Sequence, residues 1–311
     1  MMIYLKKLRL YIMLGVISLL TFNEAFAQQK VQNTMYLFNP LSYNPAYAGT
    51  NEEMAASAVF RNQWTKMDGA PITGFLTLES PIWKNLSLGV NAEYDQIGAR
   101  TNAGGAVDLA AKVKLNQQGQ FLSMGIKLGI TNVNFDNSKF DNVLNPGESL
   151  NKSWSRTNFN FDVGLYWYSE NYYLGISTLS LLENPLGIDD TEKSVYKSQM
   201  HFYNFGAYYW DISRNVAVKP SYMLKYVENA PISFDVNASF LLYHLAWVGA
   251  NYRYNNTIGL HLIMNISPNL ELGYAYEFAM GKDSQSFGGT HEVMLRYRYK
   301  KSIKFRTPRR F

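Results

Sequence analysis

Residues 86–95 read Leu86-Ser87-Leu88-Gly89-Val90-Asn91-Ala92-Glu93-Tyr94-Asp95. Every even-numbered position is apolar, and every odd-numbered one is polar or glycine. That is the two-residue period of a strand with two unlike faces. A tilted strand of about 9–11 residues crosses the hydrocarbon core of a bilayer, and this stretch is long enough to do so. The polar face carries Gly and Asn beside ionisable Glu93 and Asp95, which suits a barrel interior better than a dry core.

The same rule recurs along the chain. Leu122-Ser123-Met124-Gly125-Ile126-Lys127-Leu128-Gly129-Ile130 follows it, as do residues 159–165 and 232–240. A soluble sandwich also alternates, but here the polar face is rich in Gly and the segments are long. Fourteen strands are predicted: 54–62, 72–80, 86–95, 104–115, 120–133, 157–168, 171–179, 201–210, 215–226, 231–242, 245–255, 256–266, 269–279 and 289–300. The expected fold is therefore all-β, a single transmembrane barrel of about 14 antiparallel strands, occupying residues 54–300.

Two independent features agree with that count. Every second connection is short (81–85, 116–119, 169–170, 211–214, 243–244 and 267–268), while the long ones, notably 134–156 and 180–200, fall in the other set. Outer-membrane barrels have short periplasmic turns and longer outside loops. Aromatics form two predicted girdles on the apolar face. Trp167, Tyr172, Tyr209 and Tyr299 stand at periplasmic strand ends, and Tyr94, Tyr226, Tyr254 and Tyr276 at outer ends. Such rings bridge hydrocarbon and water. The opposite face carries both signs of charge: Glu93, Asp108, Lys112, Lys127, Asp162, Lys219, Asp235, Arg253, Glu271, Glu277 and Arg296.

Composition sets the outer bounds. Aromatic residues make up 15 % of the 311, charged residues only 17 %, and Cys is absent. Without Cys there is neither a lipoprotein anchor nor a disulfide. At the N-terminus, Lys6, Lys7 and Arg9 precede a short apolar run over 10–22 and the cleavage pattern Ala25-Phe26-Ala27. Residues 1–27 thus read as a signal peptide, leaving a mature chain that starts near Gln28. Of the formal charge of +5, the mature chain keeps +3. That is too little to argue for nucleic-acid binding.

Catalytic and cofactor signatures are missing. His201, His244, His261 and His291 have no metal-ligand spacing, and there is no G-x-S-x-G, P-loop or G-x-G-x-x-G. The expectation is a non-enzyme without cofactor, in which a lumen residue such as His261 is a structural hydrogen-bonder.

The stretch ahead of the first strand is different in kind. It reads Phe38-Asn39-Pro40-Leu41-Ser42-Tyr43-Asn44-Pro45-Ala46-Tyr47-Ala48-Gly49. Two Asn-Pro pairs and a Gly rule out a regular helix or a central strand. Its aromatics are too apolar to float free. An ordered, turn-rich, plug-like element over 28–53, packed at or inside the periplasmic mouth, is expected. After the first strand comes Arg61-Asn62-Gln63-Trp64 and then Asp68-Gly69-Ala70-Pro71, a strand end with a tight connection.

This motif pair resembles the PorP/SprF family of the Bacteroidetes type IX secretion system. The last strand, Gly288-Gly289-Thr290-His291-Glu292-Val293-Met294-Leu295-Arg296-Tyr297-Arg298-Tyr299, is similar to that family's last strand. The resemblance implies an outer-membrane barrel in contact with lipid. It implies partnership with periplasmic secretion-ring subunits and a peptidoglycan-binding protein, and export or surface attachment of secreted adhesins, gliding adhesins included. The fold alone leaves a diffusion channel or solute transporter open as the alternative. On the first reading Phe38, Asn39, Pro40, Tyr43, Asn44, Pro45, Ala46, Tyr47, Gly49, Arg61, Gln63 and Trp64 are the candidate partner-docking residues. The basic tail over 301–311 is expected in the periplasm, where it could meet an acidic partner or lipid head groups.

Overall fold

The computed structural model describes residues 32–139, 153–182, 184–186, 196–228, 230–254, 257–280 and 287–299. The expected signal peptide and basic tail lie outside the described residues. The described chain forms fourteen barrel strands. They are β1 (Met54–Asn62), β2 (Ile72–Pro81), β3 (Leu86–Ile97), β4 (Arg100–Lys114), β5 (Phe121–Phe135), β6 (Trp154–Tyr168) and β7 (Tyr172–Leu179). They continue with β8 (His201–Tyr208, extended by Trp210–Asp211), β9 (Val216–Val227), β10 (Ser233–Leu242), β11 (Ala246–Arg253), β12 (Thr257–Ser267), β13 (Leu270–Ala279) and β14 (Thr290–Tyr299). Each strand pairs antiparallel with its sequence neighbours. β14 returns to β1 in the register Met54↔Tyr299, Phe60↔Val293 and Arg61↔Glu292, which closes the sheet and leaves no edge.

Alternation decides which side chains meet lipid. Leu88, Val90, Ile126, Leu128 and Leu165 lie exposed on the outside, while Ser87, Gly125 and Gly164 face inward and are buried. The expected register therefore holds, since a one-residue slip would have exchanged the two sets. Seven of the eight girdle aromatics also have the expected facing. Tyr209 does not: it shares the inward parity of Tyr203 and Phe205, is buried, and packs edge-on against Trp247. Its neighbours Tyr208 and Trp210 face outward and are exposed instead. The largest boundary difference is at β4, which begins at Arg100. Arg100-Thr101-Asn102 lacks apolar alternation, yet its backbone continues the ladder on both sides, pairing with Gln96 and Ile97 and with Val133 to Phe135. The β3–β4 hairpin is closed by Gly98 and Ala99, with Gly98 at φ +56°.

The segment ahead of β1 occupies much of the interior. It forms three single-turn 3-10 helices, Thr34–Leu37, Pro40–Ser42 and Pro45–Tyr47. Each begins after an Asn, and in the last two a Pro occupies the first helical position. Asn-Pro is thus a start signal here: Pro presets φ and gives up an N–H that would have no partner. At the third turn the Asn44 side chain accepts from the Ala46 N–H at 2.9 Å. Residues 33–50 are buried throughout.

The periplasmic-mouth expectation needs correction on how far this segment reaches. Gln32 donates to Asp235 near the start of β10, at the long-loop end, whereas Gly49 bonds Glu79 near the short turns. The segment therefore runs along the lumen from the long-loop half to the short-turn mouth before β1 begins. The physical cause is the wall it meets. Tyr166, Tyr173, Tyr203, Phe205 and Trp247 all face inward and are buried. Phe38, Leu41, Tyr43 and Tyr47 cover that apolar surface, which water would otherwise wet.

Candidate functional site

The lumen segment is held at both ends and along its length by side chains from most of the barrel. At the long-loop half, Glu292 of β14 accepts from the Thr34 and Met35 backbone N–H groups, each at 3.0 Å. Thr34 Oγ1 donates to Glu277 of β13. Arg61 of β1 ion-pairs with both carboxylates, reaching Glu277 at 2.8 Å and Glu292 at shorter range. Arg253 joins from β11, bonding Asp235 at 3.1 Å and lying 3.6 Å from Glu277. These side chains are almost completely buried, so each charge depends on its partners.

Further down, Thr77 donates to Asn39 at 3.1 Å, Lys127 to the Leu41 carbonyl at 3.2 Å, and Ser177 to the Tyr43 carbonyl at 2.6 Å. Asn44 donates to the strand carbonyls of Leu165 and Ile176, at 2.9 and 3.3 Å. The wall is shaped to receive this turn. A Cβ at Gly125 would lie 2.3 Å from the Ala46 nitrogen, and one at Gly164 would lie 2.0 Å from Asn44 Oδ1. At the mouth, Gly49 sits at φ +66° and Lys112 pairs with Glu52 at 2.8 Å. Burial pushes the Tyr36, Tyr43 and Tyr47 hydroxyls up, Tyr47 to about 12, so all three stay neutral phenols.

The twelve docking candidates divide three ways. Phe38, Asn39, Pro40, Tyr43, Asn44, Pro45, Ala46, Tyr47 and Gly49 are buried against the wall, so their side chains offer no ready-made surface to a partner. Arg61 is buried in the carboxylate cluster at the opposite, long-loop half. Gln63 and Trp64 are half-buried at that same end, where Trp64 packs on Phe287 with ring centres 5.8 Å apart.

The geometry nevertheless joins the three sequence motifs. Thr65 and Lys66 donate backbone N–H groups to Gly289 and Phe287, and a Cβ at Gly288 would crowd Lys66. Arg61, Glu292 and the start of the lumen segment share one buried network. The motifs are thus one unit: the seam that closes the barrel, and the segment it holds.

Sequence reading missed Thr34, Met35 and Glu292 as the anchor. The one signal that could have found them is the closing register, which sets Arg61 opposite Glu292. It also missed a cage in which the fully buried Lys219 Nζ lies 4.3 Å from the Phe38 ring centre and 4.7 Å from that of Trp247. His261 hydrogen-bonds Ser239 at 2.9 Å, but the pair is buried beneath Phe38, with its ring 5.7 Å from that of His261. Among the described residues no carboxylate bonds His261 Nδ1, and no group of three His, Cys, Asp or Glu is placed to hold a metal.

The family model described as type IX secretion system membrane protein PorP/SprF matches residues 25–297. No curated protein matches the chain. Among solved structures, a mutant of the monoaromatic hydrocarbon channel TodX is 9 % identical, with a TM-score of 0.50 over 88 % of this chain and 95 % of that one. A Pseudomonas aeruginosa FadL homologue is 10 % identical, at 0.48 over 84 % and 93 %. The Acinetobacter baumannii outer membrane protein Omp33 is 11 % identical, at 0.46 over 81 % and 100 %. At 9 % identity the TodX likeness is one of fold alone.

Proposed function

Because the chain belongs to the PorP/SprF family of type IX secretion system membrane proteins, we propose that it is an outer-membrane barrel supporting export or surface attachment of secreted proteins, gliding adhesins among them. It reaches the membrane through a signal peptide over residues 1–27. The short turns face the periplasm, where an even-stranded barrel leaves both termini. That face meets the periplasmic ring subunits and a peptidoglycan-binding protein. The lumen segment contributes by filling and shaping the periplasmic mouth, since its own side chains are committed to the wall.

The observation that carries this reading over a diffusion channel is the occupied lumen. A porin needs a continuous aqueous path, and here residues 33–50 lie buried across the interior, bonded to β2, β5, β6, β7, β13 and β14.

The test is deletion of the gene in its host, with the surface proteome and solute uptake measured side by side, together with affinity purification from the outer membrane. Loss of one or more surface adhesins and co-purification of ring subunits are expected. Normal surface display with impaired solute uptake would overturn the proposal in favour of transport.

A further inference from the structure

The lumen segment does not fill the barrel evenly. Its last turn lies against β4, β5 and β6, and its exit at Gly49 lies against β2 and β3. On the opposite side, between the short-turn ends of β8 to β14, a cavity of about 660 Å³ stays open. That size is within the range of roughly 300–1,000 Å³ typical of ligand sites.

Its inner end is aromatic, made by Phe38, Tyr209 and Trp247. All three are buried, and Phe38 and Trp247 enclose Lys219, whose Nζ has no hydrogen-bond acceptor among the described residues. Apart from Phe38, every lining residue belongs to the short-turn half of the barrel. The cavity is therefore blind, with one mouth facing the proposed periplasmic side. A blind cavity admits the end of a chain but not its middle, because a threaded chain would need a way out.

Charge then chooses which end. Arg214, Arg296 and Arg298 line the walls against Asp211 and Glu271, three positive charges to two negative. Glu271 is already engaged by Arg298, with Arg296 3.7 Å away. The balance favours an anion and repels an amino terminus. Arginine suits it, because its planar fork matches a carboxylate.

We propose that this vestibule binds the C-terminal carboxylate of an extended polypeptide that ends in an apolar or aromatic residue. The carboxylate lies among Arg214, Arg296 and Arg298, and the terminal side chain rests on Trp247 and Tyr209. This rests on the secretion reading only for the source of the polypeptide, a periplasmic partner; the site itself rests on the cavity. Phe38 ties the site to the lumen segment, so occupancy is felt by the plug.

The experiment uses the full mature protein in detergent micelles and two probes, the peptide acetyl-Gly-Ser-Gly-Tyr-Phe as free acid and as C-terminal amide. Titration calorimetry should show the acid binding at least about tenfold more tightly than the amide. Arg214→Gln lies on an exposed turn outside the strands, and it should remove most of that preference while leaving heat-modifiability unchanged. Trp247→Leu should weaken both probes. Equal binding of acid and amide, no binding of either, or an acid preference untouched by Arg214→Gln would each overturn the proposal. Because binding is read in purified protein, the proposal can fail while the deletion strain still shows a secretion defect, and the reverse also holds.

Discussion

Gly125→Ala is the smallest change that should unseat the lumen segment. The added Cβ would lie 2.3 Å from the Ala46 nitrogen, 2.4 Å from the Pro45 carbonyl carbon and 2.6 Å from the Ala46 Cα. All three are backbone atoms, so no side chain can swing aside. To restore ordinary contact the third 3-10 turn must retreat by roughly 1 Å, more than a packed interior yields without loss. That retreat breaks the Asn44 bond to the Leu165 carbonyl and the Ser177 bond to the Tyr43 carbonyl. Each buried bond left unmade costs about 1–3 kcal/mol. With the overpacking strain, the seated turn should lose about 3–5 kcal/mol, enough to depopulate it in a barrel that still closes at the β1–β14 seam. Limited proteolysis of folded protein in micelles reads this directly, because an unseated segment over 38–49 becomes cleavable. Gly74→Ala is the control, since a Cβ there meets nothing within 4 Å. If Gly125→Ala is as resistant and as stable as Gly74→Ala, the packing argument fails.

Other outcomes follow from the same structure. Leu128→Arg, on the lipid face, should cost about 2–4 kcal/mol and slow the heat-modifiable gel shift, whereas Ser87→Arg should disturb the lumen; the reverse ranking would mean a register error. Arg61→Leu removes the cation of Glu292 and leaves Glu277 only its longer pairing with Arg253, and should destabilise by about 3–5 kcal/mol. Adding Glu292→Gln should recover part of that loss, and a strictly additive double-mutant cycle in urea unfolding would rule out the coupling. Replacing residues 44–47 with Gly-Ser-Gly-Ser should leave the barrel folded while reducing surface display of the secreted adhesin, so a folded barrel with normal display would end the role given to the segment. N-terminal sequencing of the outer-membrane form should start at or near Gln28, and a chain starting at Met1 would exclude cleavage.

How much was legible in the sequence follows from what each feature depends on. Facing is a local property: Leu88 and Ser87 declare it within two residues, which is why strand count and register could be read directly. Tyr209 was misplaced because its parity has to be counted from His201 through a run crowded with aromatics, where Tyr208, Tyr209 and Trp210 look alike. Strand ends such as Arg100 are set by backbone pairing with Phe135, and no side-chain period marks that. The lumen segment was recognisable as ordered and apolar, but its path was not. Its anchor, Glu292, is more than 250 residues away, and only the closed ring brings it beside Thr34 and Arg61. The Lys219 cage has the same origin, with Phe38, Lys219 and Trp247 coming from the lumen segment, β9 and β11.

A lumen closed by its own N-terminal segment makes the barrel work by contact and not by permeation. Single-channel recording in planar bilayers tests this most directly. The mature protein should insert without a resolvable steady conductance, while Gly125→Ala should show discrete openings as the segment leaves the lumen. A stable, ohmic, porin-like conductance from the unmodified protein would contradict the account and restore the channel reading.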